Sequence, residues 1–385
     1  MPTTFLIKKA PPSGPFVGEP VELVGGGQSS NSTTTAYSEL LDKMICGYDG
    51  GNPDPIKFWY YRVNPASNIL LASDVIGQGW DISPTNKTDC IFDPVTGHLV
   101  IAFRGPSSGV CGLHQFVGND YIYSPATEFN ATRMREVKVA HIPNSNKLSF
   151  VFIDDVVGFG PVAISIGEIV YENYLGKDQW YIKMIGSPVQ VTSVNSATPS
   201  IVFDPLTNQL IIIYRNTSTS RINYRLCSID NDGVVSFGTL GTIITGHHQP
   251  SVTYDPIEQR VVVICRDDSA FSGKAVIGTV SGSDIIDISS PVTFSSNMIY
   301  PASTFDVNSE KVNVVYRNAA NPENNVQIVS GKVTEDSIVF GTSLVLDSVN
   351  KSHPSIAYDN KNKLVVVTYL DIVAHTTHAI TARLE

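Results

Sequence analysis

An eleven-residue spacing recurs along this chain. An aromatic residue that closes one apolar run is followed eleven positions later by a second aromatic or large apolar residue: Tyr37 and Tyr48, Phe92 and Phe103, Phe203 and Tyr214, Tyr254 and Cys265, Phe305 and Tyr316, Tyr358 and Tyr369. A weaker pair, His141 and Phe152, fills the one long gap, so that successive first members lie 49 to 62 residues apart. A nearly fixed period of this size means a repeat architecture, in which each unit is one supersecondary motif that cannot bury its apolar faces alone. Seven units fit the 385 residues.

Each unit reads as strands. The first run, "PSIVF" or "PSIAY", carries a proline four positions before the aromatic in four units (Pro199, Pro250, Pro301, Pro354). There a proline is expected to start a strand without removing a ladder bond. Turn chemistry follows in "DPVTGH", "DPLTNQ", "DPIEQR" and "DNKNKL", where proline presets φ and the Asp side chain caps the turn. The next run, such as "LIIIYR" or "LVVVTY", is apolar at consecutive positions and rich in β-branched residues, the pattern of a strand covered on both faces. Two more strands complete the unit, for example "INYRLCSID" and "VVSFGTLGTII" around the "NDG" turn of Asn231 to Gly233.

Stacked radially, such four-stranded meanders make a β-propeller; a linear stack requires polar caps at both ends, and none is evident. The last unit offers three strands, "PSIAYD", "KLVVVTYLD" and "HAITARLE", while "GEPVELVGGGQ" near the N-terminus resembles the fourth-strand segment "GSPVQVTSVN" that precedes Phe203. Pairing of Val21 to Val24 with the C-terminal strand would close the ring and remove an exposed edge. The expected fold is therefore all-β: a seven-bladed propeller of four-stranded antiparallel blades, closed by the N-terminal strand in the C-terminal blade. Residues 1–18 are expected to be an extended segment and residues 19–385 the propeller. No stretch sustains a capped 3.6-residue periodicity, so little helix is expected.

Composition excludes several classes. With 42% hydrophobic and 16% charged residues the chain is of ordinary globular make-up rather than disordered. Cys46, Cys90, Cys111, Cys227 and Cys265 form an odd set without C-x-x-C spacing, which reads as buried thiols rather than a disulfide framework or zinc site. "MPTTFLIKKAPPSGPF" has only a four-residue apolar stretch before Lys8 and lacks the apolar core of a signal peptide. No run reaches the length of a membrane helix, and a net charge of -10 disfavours nonspecific nucleic-acid binding.

The repeats place chemistry-bearing residues in rows. Arginine ends the second strand in four units, at Arg104, Arg215, Arg266 and Arg317, and aspartate closes the first in five, at Asp93, Asp204, Asp255, Asp306 and Asp359. At ~3.3 Å per residue the two rows fall at opposite ends of the hairpins, about 16 Å apart. The aspartates read as turn caps. The arginines share one face of the ring, where they either bind backbone carbonyls between blades or form an anion-attracting rim, the candidate ligand-binding set. The S-x-D-x-G-x-T-W turn of sialidases is absent, no Tyr/Glu nucleophile pair is recognisable, and "GPSSG" at Gly105 to Gly109 is not a nucleophile elbow. "GHHQP" (His247, His248) and "AHTTH" (His375, His378) lack the geometry of a metal chelate along a strand. Asp154-Asp155 and Asn231-Asp232-Gly233 are weak calcium candidates that read better as solvated turns. Neither a catalytic residue, a metal nor a cofactor is expected. Trp80, Trp180, Tyr121 and Tyr123 are candidates for stacking sugars, with packing as the alternative.

The formula "YDP-x-T-x-x-L-V-V-x-Y-R-N/D", with "IGTVSG" (Ile277 to Gly282) and "IVFGTSLVL" (Ile338 to Leu346), resembles propeller repeats of tailed-bacteriophage virion proteins, especially tail-fibre or other adsorption-apparatus components. "TFLIKKAPPSGPFVGEPVEL" is similar to the short N-terminal segment of phage fibre proteins, although the usual "LN" or "YS" continuation after "GE" is missing. The resemblance implies a non-catalytic virion structural protein, made in the host cytoplasm and located in the particle. Phe5, Leu6, Ile7, Lys8 and Lys9 would dock to other virion proteins of tail or capsid, and the ring would present loops to a host-surface glycan, with no nucleic-acid or membrane partner and with a homo-oligomer in the particle as an option. A propeller lectin is the alternative, and a glycan-degrading enzyme comes third.

Overall fold

The computed structural model of the chain describes residues 16–24, 33–48, 57–64, 69–77, 88–117, 120–155, 160–320, 324–348 and 350–384. Two short strands come first, Phe16–Val17 (β1) and Val21–Val24 (β2). Thr33–Ser38 (β3), Lys43–Tyr48 (β4), Lys57–Asn64 (β5) and Ile69–Gly77 (β6) form the first sheet. The second holds Thr88–Phe92 (β7), Leu99–Arg104 (β8), Gly109–Val117 (β9), Asp120–Tyr123 (β10) and Thr127–Asn130 (β11). The third holds Met134–Ile142 (β12), Lys147–Asp154 (β13), Val162–Tyr174 (β14) and Lys177–Gln190 (β15). The fourth holds Ser196–Asp204 (β16), Gln209–Asn216 (β17), Arg221–Ile229 (β18) and Val235–Thr245 (β19). The fifth comprises His247–Asp255 (β20), Arg260–Asp267 (β21), Gly273–Ser281 (β22), Asp284–Ile286 (β23) and Val292–Ser295 (β24). The sixth comprises Met298–Asp306 (β25), Lys311–Asn318 (β26), Val326–Val333 (β27), Ile338–Phe340 (β28) and Leu344–Asp347 (β29). Lys351–Asp359 (β30), Leu364–Asp371 (β31) and Thr376–Arg383 (β32) make the closing sheet with β1 and β2. This is an all-β propeller of small antiparallel sheets.

The second strands show why these sheets must stack. Leu210 to Tyr214 are all buried, and because side chains alternate across a strand, Ile211 and Ile213 pack toward the fifth sheet while Leu210, Ile212 and Tyr214 pack toward the third. In β21, Val261, Val263 and Cys265 face back to the fourth sheet and Val262 and Ile264 forward to the sixth. Similarly, β13 divides between Leu148, Phe150 and Phe152 on one side and Val151 and Ile153 on the other. Every neighbouring pair of sheets shares one such cluster, and one of them joins Leu23, Ala357, Leu364 and Val366 of the closing sheet to Met44 and Cys46 of the first. Each fully buried Val, Leu or Ile contributes about 1.5–3 kcal/mol. The apolar strand between two clusters is thus what holds the ring together.

Ring closure follows the same ends that the sequence suggested: Val21 pairs with Ala379 and Glu22 with His378. The N-terminal boundary moves, however. Phe16 pairs with Arg383 and Val17 with Ala382, and the Gly18 amide donates to the Thr381 carbonyl, so residues 16–18 belong to the sheet because they satisfy the outer edge of β32. Residues 1–15, with Phe5, Leu6, Ile7, Lys8 and Lys9, lie outside the described residues. A second correction concerns the outermost position, which is often two short strands rather than one: β10 and β11, β23 and β24, and β28 and β29 each pair with a single third strand, as β1 and β2 do. An interrupted edge is a poor template for a further strand.

The first hairpins turn as the Asp residues require. Asp204 accepts from the Leu206 amide (2.9 Å) and the Thr207 hydroxyl (2.6 Å). Asp255 takes the Ile257 and Glu258 amides, Asp306 those of Asn308 and Ser309, and Asp359 that of Asn362. Just before the second strand the chain is left-handed at Asp42, Asn208, Gln259, Glu310 and Lys363, which closes a four-residue hairpin loop in register, and in the six-residue loop between β7 and β8 it is left-handed at Gly97. These aspartates also reach across sheets. The Tyr254 hydroxyl bonds Asp204 and the Tyr358 hydroxyl bonds Asp306, so that burial first and the carboxylate second push both phenols up; Tyr37 lies beside Asp359 in the same way. His141, at the weakest repeat position, places Nε2 3.2 Å from Asp93 Oδ1. The first-strand anchor of one sheet is therefore clasped to the turn of the sheet before it.

Candidate functional site

The four prolines do not start their strands. β16, β20, β25 and β30 begin three residues earlier, and each has a bulge whose register skips from Ala197 to Ser200, His248 to Ser251, Ile299 to Ala302 and Ser352 to Ser355. The two skipped residues have no partner on the second strand, so the missing proline N–H costs no ladder bond. The residue before each proline is left-handed: Thr198, Gln249, Tyr300 and His353 have φ of 48, 51, 53 and 47°. Such conformations cost of order 1–3 kcal/mol each for non-glycine residues and gather at functional sites.

The bulges bring these residues to the ring axis. They line a cavity of about 190 Å³ together with Thr33, Glu136 and Lys138. Contacts between neighbours fix its wall: the Tyr300 amide donates to Gln249 Oε1 (3.1 Å), the Thr33 hydroxyl to the His353 carbonyl (2.6 Å), and the Tyr300 and His353 rings stack at 4.0 Å. Deeper in the ring, Ser251 and Ser303 share a hydrogen bond and Ser200 Oγ accepts from the Val252 amide. At the opposite end of the inner strands a larger cavity of about 720 Å³ opens among Tyr37, Leu40, Phe92, Phe305 and Tyr358.

Next to the bulges stands the arginine row, because Arg215 pairs with Ala197, Arg266 with His248 and Arg317 with Ile299. The contacts of Arg215, Arg266 and Arg317 are with side chains. Arg317 donates to Asn324 Oδ1 (2.7 Å) and to Ser352 Oγ (3.5 Å) of the next sheet. Arg215 donates to Ser220 Oγ (3.3 Å) and lies 3.9 Å from Asp268, again on the next sheet. Arg266 lies over the Phe271 ring at 4.9 Å. Arg104 stands near Arg133, Asp155 and Arg135, and burial, then the neighbouring cations, lower its pKa; burial likewise lowers those of Arg215 and Arg266. In all four arginines Nε is buried without an acceptor, although the guanidinium ends of Arg215 and Arg317 are engaged. Sequence placed them on one face, and beside the bulges Arg215 and Arg317 reach the next sheet while Arg266 stays against Phe271 of its own.

His248 sits in this row. Burial, then Arg215, Arg266 and His247, push its pKa down to about 4, and its Nε2 lies 2.5 Å from Asp268 Oδ1. His247 Nδ1 meets the Thr245 carbonyl and His378 Nε2 the Thr376 hydroxyl. Asp155 is engaged by Arg135 (3.1 Å) and Arg133 (3.7 Å), and in the Asn231-Asp232-Gly233 turn Asp230 accepts the Asp232 and Val234 amides. Among the described residues no three His, Cys, Asp or Glu side chains gather as metal ligands. All five cysteines are free and buried, and burial pushes the thiols of Cys90, Cys227 and Cys265 up to about 12.

Of the sugar-stacking candidates, Tyr123 is exposed and Trp180 half-buried, Tyr121 is placed by backbone in β10, and Trp80 lies outside the described residues. Sequence reasoning missed Thr198, Gln249, Tyr300 and His353, although the recurrent "TPS", "QPS", "YPA" and "HPS" marked them. It also missed Tyr171, which the long alternation on both sides of Leu175-Gly176 places in a hairpin.

No family model matches the sequence, and no curated protein matches it. Solved structures resemble it in fold. A hydrazine synthase structure from Kuenenia stuttgartiensis has a TM-score of 0.58 at 8% identity, covering 93% of this chain and 98% of that one. The Dos1 propeller has a TM-score of 0.53 at 8% identity, with 95% of each chain covered. A Trypanosoma rangeli sialidase in complex with the inhibitor DANA has a TM-score of 0.50 at 12% identity, covering 95% of this chain and 59% of that one. Enzymes stand among these neighbours, and at such identities the likeness is one of fold.

Proposed function

We propose that this chain is a non-catalytic virion protein of a tailed bacteriophage, a component of its adsorption apparatus built as a seven-bladed ring. Seven sheets are hydrogen-bonded among the described residues, and their first strands pack in the cyclic order β3, β7, β12, β16, β20, β25, β30 and back to β3. The observation that carries the functional reading is the position of β1 and β2 on the outer side of β32. Phe16 pairs at the rim of the ring, so in this reading a partner gripping Phe5 to Lys9 leaves both faces open to a host-surface glycan. The sequence resemblance to phage virion repeats supplies the particle.

The test compares particles assembled with the full chain and with a chain lacking residues 1–15. The shortened chain should purify as a ring of unchanged melting temperature and be missing from particles. Normal incorporation of the shortened chain, or failure of the full chain to enter particles at all, would refute the proposal.

A further inference from the structure

The third sheet carries a hairpin that the ring does not need. Its third and fourth strands, β14 and β15, run 13 and 14 residues, whereas the third strands β18, β22, β27 and β32 stop at eight or nine. Register explains how the extra length is used. Ile169 pairs with Ile182, Tyr171 with Trp180 and Asn173 with Asp178, and these three pairs share one face because side chains alternate. The first pair is in the core. The second continues that face beyond the core as aromatic rings, and the third ends it in a hydrogen bond between Asn173 and Asp178. The hairpin turns at Leu175-Gly176, both left-handed, as a two-residue turn requires.

Opposite this face stands the β9–β10 hairpin of the second sheet. Between the two lies a groove of about 230 Å³, lined by Tyr171, Trp180, Tyr123, Gln115, Gln179 and Lys177 among others. Trp180 is braced from behind by the buried His98 ring at 4.8 Å and from the side by Tyr171 at 5.3 Å. Tyr171 and Tyr123 nevertheless remain 59% and 49% exposed. Two aromatic rings, Tyr171 and Trp180, on one wall and the Gln115 amide, which shares the third-sheet-facing side of β9 with Leu113, on the other fit one kind of occupant. A pyranose presents C–H groups on its faces and hydroxyls around its edge, so the Tyr171 and Trp180 rings cover a face and Gln115 and Asp178 meet the hydroxyls. The volume admits a sugar ring and is far below the footprint of a stable protein interface.

We infer that the groove between the β9–β10 and β14–β15 hairpins is a carbohydrate subsite for a pyranose unit of a glycan, with Tyr171 and Trp180 as its stacking platform. The assignment rests on the attachment reading for the source of the glycan, while its chemistry rests on the groove. It also differs from the axial site, since it belongs to two neighbouring sheets and not to the repeat.

The experiment titrates the purified full chain with methyl glycosides of hexoses, 6-deoxyhexoses and N-acetylhexosamines at millimolar concentration, read by tryptophan fluorescence and by saturation transfer. At least one glycoside should saturate, and Tyr171→Ala should weaken it roughly tenfold or more at an unchanged melting temperature, with Gln115→Ala as an independent second variant on the opposite wall. Saturation by no glycoside, or binding equal in wild type and both variants, overturns the subsite. Concentration-dependent self-association abolished by Tyr171→Ala, without glycoside binding, overturns it in favour of a second copy of the chain. No particle is needed, so failure of this test leaves the docking proposal for residues 1–15 standing, and failure of that docking leaves this test intact.

Discussion

The inner and outer halves of each sheet obey different rules. In the inner half, β16, β20, β25 and β30 repeat a bulge, a left-handed residue and a proline, and the following strands are dry on both faces. In the outer half, strands are broken in some sheets, continuous in others and prolonged into a protruding hairpin in the third. The difference follows from crowding. Near the axis every side chain meets a neighbouring sheet, so one solution is reused; toward the rim the sheets part and the edge has only to avoid pairing with another chain. Repetition therefore marks the scaffold, and variation marks where a ligand-specific feature fits without disturbing it.

The largest contrast should come from truncating one apolar side chain in each half. Ile212→Ala, in a strand with neighbours on both faces, is expected to cost about 2–5 kcal/mol, whereas Val339→Ala, 63% exposed on β28, should stay within about 0.5 kcal/mol. Denaturant unfolding of both variants measures the gap, and equal losses would erase the distinction drawn here.

His114 tests how far the dry region reaches. It lies in the third strand of the second sheet, is fully buried, and burial lowers its pKa to about 4. Its folded pKa lies below the ordinary value of 6.5, so between pH 6.5 and 4 the unfolded chain binds the proton and the folded chain does not. Its contribution is thus intact above pH 6.5 and is lost as pH falls toward 4, by about 3 kcal/mol in all. His114→Leu should flatten that part of the stability-versus-pH curve; a curve of unchanged slope would place the boundary of the dry region further in.

The smallest effect belongs to the clasp between sheets. Tyr254→Phe removes the hydroxyl bonded to Asp204 and should cost about 1 kcal/mol, a modest loss because Phe203 and Phe305 already stand at equivalent positions. Thermal melts of this variant beside Tyr358→Phe would show whether the two clasps are equivalent.

What could be read from sequence follows the same division. Consecutive apolar residues such as Leu210 to Tyr214 dictated a strand covered on both faces, and the Asp-Pro turns fixed the hairpins. Where the prolines sit was misjudged, because a bulge is a matter of pairing between two strands and leaves no mark in one of them alone. The arginine row was visible as a row, but the bond of Arg317 to Ser352 and the approach of Arg215 to Asp268 depend on which sheet comes next. The aromatic groove was glimpsed in Trp180; Tyr171 became meaningful only once register set it opposite Trp180.

Closure of the ring is best tested by tying it shut. Glu22 and His378 face each other across β2 and β32, so the pair Glu22→Cys and His378→Cys should form an intramolecular disulfide on oxidation, the five native thiols being buried. A monomer of faster mobility on a non-reducing gel is expected, with an unfolding free energy raised by up to about 5 kcal/mol for so long a loop. Failure to cross-link within one chain, or cross-linking between two chains, would contradict a ring closed by its own first strand.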